Sequence, residues 1–555
     1  MKRRQMRTIL IVVGLAALLA VIVWTATLRP SLIPRASENW SRGRILGLTP
    51  VSRPPAIRPA PDGGVFLVWP TLEGDLNLVH VGVDGETIFE RTLPVRADSA
   101  RDAQMVLGPE GRLHLLWRDE GTTPAEIRYA VVASDGSAVG SSLVLSHGEG
   151  MVADVPQLVR DADDRLHALW ANATGIQHAV LTSEGGLVED PTLVVPDGRS
   201  PSAGLDTAGR LQLLWQQTGP SRGVFILHAA CTPQNRVWSE PEELAEVFLR
   251  TGQRLEGPSL GLTAEAVYAV WSIDDRRTAS SLAYYVAFPL DGSRSAQIED
   301  LDLMRGWNPT DVSPADSVET PLWTVLSEIS PEAEPTMLLE TLFRSGDASA
   351  AKPQIALITL PQSQRPEEII TASRQASVKP TLIVGQAGNL HLTALEVAGT
   401  DRYRVIYAST APGVLEAYNA ITVYDVVNLV MSGLLQSSLF VLAVVPMLFL
   451  WVVVPLLCLL VYHWFSGAEE LDRPGPRLAL VLIILLELTL TLVFPLRVET
   501  VWPPFRFVGP IVTAAIAGIF TWLLLRRREE NVLFLAFFAY AAIHVFLLWL
   551  AYLLV

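Results

Sequence analysis

Hydrophobic and polar positions divide this chain into three stretches with different periods. An unbroken apolar run covers Thr8 to Leu28, behind four basic residues in MKRRQMR. Four further runs close the chain, over 434–465, 478–496, 507–525 and 532–555, with GAEELDRPGPR, RVETVWPPFR and RRREEN between them. Each reaches or approaches the roughly twenty apolar residues a helix needs to cross a bilayer, and 434–465 exceeds it. Between these ends the pattern changes to short apolar bursts: GGVFLVW, GRLHLLW, DRLHALW, GRLQLLW and AEAVYAVW, closing at Trp69, Trp117, Trp170, Trp215 and Trp271. Weaker copies stand at Val318–Leu326 and Gly388–Leu395.

Self-similarity at this period, with a second short strand and a DG or EGG turn in each unit, predicts tandem antiparallel sheets. The bursts are apolar on nearly every residue, which a strand covered on both faces requires. Radial stacking of four-stranded sheets supplies that cover. The expected fold is therefore an all-β seven-bladed β-propeller, or a six-bladed one if the degenerate copy at 318–326 is not a blade, with one N-terminal and four C-terminal transmembrane helices. Asn39–Pro50 resembles the outer-strand segment Arg236–Glu246, so an N-terminal strand is expected to complete the last blade and remove two open edges.

The positive-inside bias orients the chain. It predicts a cytoplasmic tail over 1–8, a signal-anchor helix over 9–28, a linker over 29–43 and an extracytoplasmic propeller over 44–412. A linker or interfacial helix follows over 413–433, then a four-helix region over 434–555. The expected location is the cytoplasmic membrane, multi-pass, with the propeller on the extracellular or periplasmic side. A net charge of -15 offers no basic face for nucleic acid. The two cysteines, Cys231 and Cys458, fall in different stretches, which excludes a disulfide framework and a cysteine zinc site. No phosphate loop, nucleophile elbow or dinucleotide fingerprint occurs, and no cofactor is expected.

The unit P-x-L-x-x-D-x-x-G-x-L-H-x-x-W, then I-x-Y-A-x-S-x-D-G, then W-S-x-P, resembles the blades of sialidase-like propellers with BNR-type repeats, over roughly residues 40–412. The family's strict Asp-box is not present in full. Members of that family cleave sialic acid with three arginines on the substrate carboxylate, an aspartate acid/base and a Tyr–Glu pair. The resemblance implies Arg53 in SRPPAI as the first arginine, Asp75 in EGDLNL as the acid/base, and Glu256 in LEGPSL as the glutamate. The pattern is incomplete: Trp271 stands where the next arginine is expected, and Arg402 and Tyr403 are the remaining candidates.

Two other groups carry chemistry. His114, His167 and His391 share one repeat position, which Phe66, Gln212 and Tyr268 take in other units. Their distribution over separate blades reads as packing rather than as a metal site. Glu487, inside LIILLELTLTLVF, is costly at membrane depth, and His544 in AAIHVFLLW stands at comparable depth as its expected partner. Three functions follow as expectations: a non-catalytic recognition or scaffold module, within a membrane assembly and binding a glycan, peptide or protein; a glycoside hydrolase of sialidase type; or a transport-related protein using Glu487.

Overall fold

The structure is a computed structural model. It describes residues 32–33, 35, 37–137, 139–146, 154–219, 223–233, 237–275, 280–290, 299–300, 324–326, 336–343, 352–359, 368–373, 375–423, 425–427, 449–468, 470–493, 505–525 and 532–554. The expected anchor over 9–28, the start of the first C-terminal run and most of the sixth phrase lie outside these residues. The chain divides into a β unit, Pro30–Ala420, and a unit containing Ile421–Val555. The division therefore falls after the 412/413 boundary expected from the sequence.

The β unit is built of small antiparallel sheets, seven among the described residues. In sheet 1, Ala56–Pro59, Val65–Pro70, Leu76–Val81 and Thr87–Thr92 pair in chain order. Sheets 2 to 6 repeat this meander over 100–144, 157–196, 198–248, 253–300 and 324–369. Sheet 7 joins Ser377–Val384, Leu390–Gly399 and Arg402–Ser409 to Gly43–Thr49, which pairs with Arg402–Ser409, and then to Leu32–Ile33.

Burial explains the repeated phrase. Val65–Pro70 and Leu166–Ala171 are buried on every residue, whereas the outer strand Thr87–Thr92 is largely exposed. Apolar cores lie between sheets 1 and 2, 2 and 3, 3 and 4, and 4 and 5. Others lie between sheets 6 and 7, and between 7 and 1. The second strands of sheets 1, 2, 3, 4 and 7 thus face apolar neighbours on two sides, and Trp69, Trp117, Trp170, Trp215 and Trp271 are all buried within these layers. The first strand of every sheet lies against the first strand of the next, and Ser377–Val384 lies against Ala56–Pro59.

Helix α1, Pro412–Asn419, follows sheet 7 directly, with Pro412 at its start, where a missing N–H costs nothing. Val414 and Tyr418, four apart on one face, are buried in the core shared by sheets 7 and 1. Tyr418 donates its hydroxyl to the Gly85 carbonyl, and the Arg44 guanidinium lies 5.6 Å from the Tyr418 ring centre. Asn419 Oδ1 accepts the Arg42 amide at 3.0 Å. Gly85 has φ +80°, and a Cβ there would come within 2.7 Å of the Tyr418 ring. Gly85→Ala is therefore expected to cost about 2 kcal/mol, combining left-handed strain and overpacking. An unchanged urea midpoint would show that α1 gives way freely.

The second unit contains α2 (Val454–Ser466), α3 (Pro474–Val493), α4 (Phe505–Leu525) and α5 (Leu533–Leu554). Helix α2 ends on Gly467, in the left-handed conformation at φ 60°, whose amide caps the His463 carbonyl. Among the described residues one helix, α3, is long and apolar enough to cross a membrane. The apolar stretches Leu450–Ser466, Gly509–Leu525 and Leu533–Leu548 are shorter.

Candidate functional site

The first strands of the sheets carry a repeated irregularity. Their register slips between Arg101 and Gln104, Arg199 and Ser202, Glu256 and Ser259, and Val378 and Thr381. Inside each slip one residue has positive φ: Asp102 at 52°, Ser200 at 50°, Gly257 at 94° and Lys379 at 53°. Three of the four are not glycine, so the conformation is held against about 1 kcal/mol of strain at each. Bulges re-aim side chains, and strain of this kind gathers at binding sites.

A cavity of about 290 Å³ opens beside these bulges. Its lining comes from six sheets: Arg53–Arg58 ahead of and within sheet 1, Asp102 in sheet 2, Asp154 ahead of sheet 3, Ser200 in sheet 4, Arg254–Leu260 in sheet 5 and Thr381 in sheet 7. Asp102, fully buried, holds Arg53 Nε at 3.1 Å through Oδ1, and accepts Arg118 Nε at 3.0 Å through Oδ2. Arg254 Nε lies 2.9 Å from Glu256 Oε1, and Asp154 Oδ2 accepts the Ser200 amide at 2.9 Å. Two of the cavity's arginines, Arg53 and Arg254, thus already face carboxylates. Ser272 Oγ, buried in the cavity wall, has no hydrogen-bond partner among the described residues.

Of the residues expected from the sequence, Arg53 and Glu256 share this cavity. Asp75 is not part of its lining; it sits in the turn after Val65–Pro70, where its carbonyl accepts the Thr71 amide at 2.7 Å. Arg402 and Tyr403 open a strand of sheet 7, with Tyr403 paired to Thr49, and do not line the cavity either. Sequence reasoning missed Asp102, Arg58 and Arg254. A signal existed for the first: Asp102, Ser200 and Lys379 each stand fifteen residues before Trp117, Trp215 and Ala394, the closing positions of their phrases.

The repeated histidine position resolves into two packing solutions. An amide-to-carbonyl bond closes the first turn of sheets 2, 3, 4 and 7, from Gly108 to Arg112, Asp161 to Arg165, Asp206 to Arg210 and Gly385 to Asn389. Where that turn opens with aspartate, the carboxylate takes the second-strand side chain: His167 Nε2 lies 3.2 Å from Asp161 Oδ2, and Gln212 Nε2 donates to Asp206 Oδ2 at 2.7 Å. Where it opens with glycine, the imidazole fills the vacated space. Its Nδ1 then meets a tyrosine of the third strand, His114 with Tyr129 at 2.6 Å and His391 with Tyr407 at 2.8 Å. A Cβ on Gly108 would fall 2.2 Å from His114 Nε2.

In the helical unit, Glu487 and His544 meet. His544 Nδ1 lies 2.8 Å from Glu487 Oε1, with both side chains fully buried.

No protein-family model matches the chain, and no curated protein matches its sequence. Solved structures similar to it include polysaccharide lyases and arabinanases. They include the polysaccharide lyase Uly1 (11% identity, TM-score 0.42, covering 64% of this chain and 89% of that one). An ulvan lyase of family PL25, bound to -[GlcA(1-4)Rha3S]-, is similar at 10% identity and TM-score 0.41, over 65% and 94% of the two chains. The GH43 endo-arabinanase from Bacillus licheniformis is similar at 14% identity and TM-score 0.28, over 45% and 93%. The likeness is one of β architecture.

Proposed function

We propose that the β unit is a seven-bladed propeller, closed by Gly43–Thr49 as the outer strand of its last blade. In this reading it is a non-catalytic binding module, displayed on the extracytoplasmic side of a membrane and taking a polar ligand without net charge, the chemistry of a neutral sugar unit. The convergence of six sheets on one cavity whose arginines are largely paired carries this reading. A radial arrangement is the simplest way to bring the first strands of sheets 1 to 5 and 7 to one place. Arg53 and Arg254 are engaged by Asp102 and Glu256. A ligand carboxylate would meet the Asp102, Asp154 and Glu256 carboxylates in the same lining, and like charges at close range repel. A hydroxyl-rich ligand would instead donate to the partly exposed Asp154 and Glu256 carboxylates and accept from Arg254.

Membrane attachment is supported by apolar side chains pointing outward from all four helices. Leu460 and Val461 on α2, Leu482 on α3, Phe520 on α4 and Phe546 on α5 are each exposed. Contiguous apolar surface on that scale is what a lipid-facing bundle presents. We place α2–α5 in the bilayer together on that ground, in a multi-pass arrangement.

A sialidase-type hydrolase is the competing reading, and Arg53 and Glu256 in one cavity favour it. Asp75, away from the cavity lining, weighs against it. The full chain in detergent would be screened by saturation-transfer NMR against neutral sugars, uronates and sialic acid, and assayed with a fluorogenic sialoside. Neutral sugars are expected to bind, about tenfold more weakly in Arg254→Ala, with no turnover. Turnover abolished by Glu256→Gln, or binding confined to the acidic sugars, would overturn the proposal.

A further inference from the structure

Three helices of the second unit meet at one polar point. Glu487 projects from α3, His544 and Tyr540 from α5, and all three are fully buried. Helix α4 contributes the carbonyl of Pro510, 3.3 Å from His544 Nε2. A carbonyl only accepts, so this contact assigns the hydrogen on the ring to Nε2. His544 Nδ1 then faces both oxygens of Glu487, at 2.8 and 3.0 Å. A ring lone pair and a carboxylate oxygen at that distance repel each other unless a proton lies between them. Tyr540 donates to Glu487 Oε2 at 3.3 Å and leaves Oε1 to the histidine. Ala514 and Ala517 enclose the point together with Ile484, Leu488 and Ile543. In such surroundings a neutral acid bonded to a neutral ring is favoured over separated charges.

We propose that Glu487 and His544 form a proton-binding site in the helical unit. One proton, carried on Glu487 and donated to His544 Nδ1, joins α3 to α5, and the Nε2–H bond extends the link to α4. Filled, the site is neutral and every polar atom in it has a partner. Emptied, it sets a carboxylate against a lone pair with no cation among the described residues in contact to balance it. Proton occupancy and the packing of three helices are thereby the same variable.

Among the described residues, the other titratable groups on the packed helices do not supply that balance. Arg477, on α3, bonds the Leu471 carbonyl and lies near Asp472. On α2, which packs against α3, Tyr462 lies beside Gly475, His463 packs edge-on against Phe534 and Cys458 is exposed. Tyr540 contacts the site, as a donor to the carboxyl group.

The test is infrared difference spectroscopy on the full chain in lipid nanodiscs, between neutral and strongly alkaline buffer. The expected result is a protonated-carboxyl band at neutral pH, shifted in heavy water and absent in Glu487→Gln. It should disappear on alkalinisation with release of roughly one proton per chain and loosening of the bundle. Glu487→Gln keeps a donor for Nδ1, so it is expected to stay packed and lose the alkaline transition. Structural glue alone would leave that transition in place in the variant. Tyr540→Phe provides a second measurement that does not depend on the first variant folding, because loss of its bond to Oε2 should shift the same band. A neutral spectrum without such a band, or a band unmoved by both substitutions, would overturn the proposal.

Discussion

Trp117→Ala is expected to remove about 4 kcal/mol of stability from the β unit. Trp117 is fully buried in the second strand of sheet 2, within the core between sheets 1 and 2. Its indole fills a layer that also holds Phe66 and Met105 but many small side chains, among them Ala56, Ala60, Ala100, Ala103 and Ala130. A cavity of indole size cannot be closed by alanines already in contact with backbone, so little of the loss is recovered by relaxation. Trp238→Ala is the control. That residue lies half-buried in an outer strand, edge-on to His178, and its removal is expected to cost about 1 kcal/mol. Urea unfolding of the full chain, followed by near-ultraviolet circular dichroism, separates the two. Equal midpoints for the two variants would mean that the sheets do not rely on the tryptophan layer.

The same burial accounts for what could be read in the chain beforehand. A strand covered on both faces has to be apolar throughout, so the phrases ending at Trp69, Trp117, Trp170, Trp215 and Trp271 stand out against any polar background. The strand Gly43–Thr49 was legible through its likeness to Arg236–Glu246, and it does pair with the last strand of sheet 7. Glu487 and His544 were legible for the opposite reason: an ionisable group inside an apolar run needs a partner, and few were available. The cavity was only half legible. Arg53 and Glu256 were found through a resemblance, but Asp102 gains its role from a bulge and from arginines in two separate segments, Arg53 and Arg118. Backbone irregularity of that kind leaves almost no trace in residue type: Asp102, Ser200 and Lys379 share a conformation and a place in the repeat, but no side-chain chemistry. Helix α1 escaped for a simpler reason. Eight residues with two buried positions are too few to show a period, and only Gly85 and the seam between sheets 7 and 1 give Tyr418 its place.

Acidification is expected to unfold the β unit through its histidines. Burial lowers His114 from 6.5 to about 4, with help from Arg160 and Arg112; it lowers His228 to about 4, assisted by Arg210, and His391 to about 4. The contacts enforce the neutral ring. Burial raises Tyr129 and Tyr407 above the ordinary tyrosine value, so each keeps its hydroxyl hydrogen and donates it to the imidazole Nδ1. Protonating that nitrogen would turn the hydroxyl from donor to acceptor, leave its hydrogen to find another partner and put a charge into a dry layer. Between the two values the unfolded chain binds more protons than the folded one, so stability rises with pH there and is lost as pH falls from about 6.5 to about 4. Each histidine costs about 3 kcal/mol by the lower end of that window. Three together approach the ~5–15 kcal/mol that holds an ordinary domain folded. Glutamine already serves at this repeat position as Gln212, which makes His114→Gln and His391→Gln the appropriate variants. Each is expected to flatten the dependence of the urea midpoint on pH by about a third, and the double variant by about two thirds, from three equal contributions. Curves for the parent and the double variant that run parallel through this window would place the acid sensitivity in other groups.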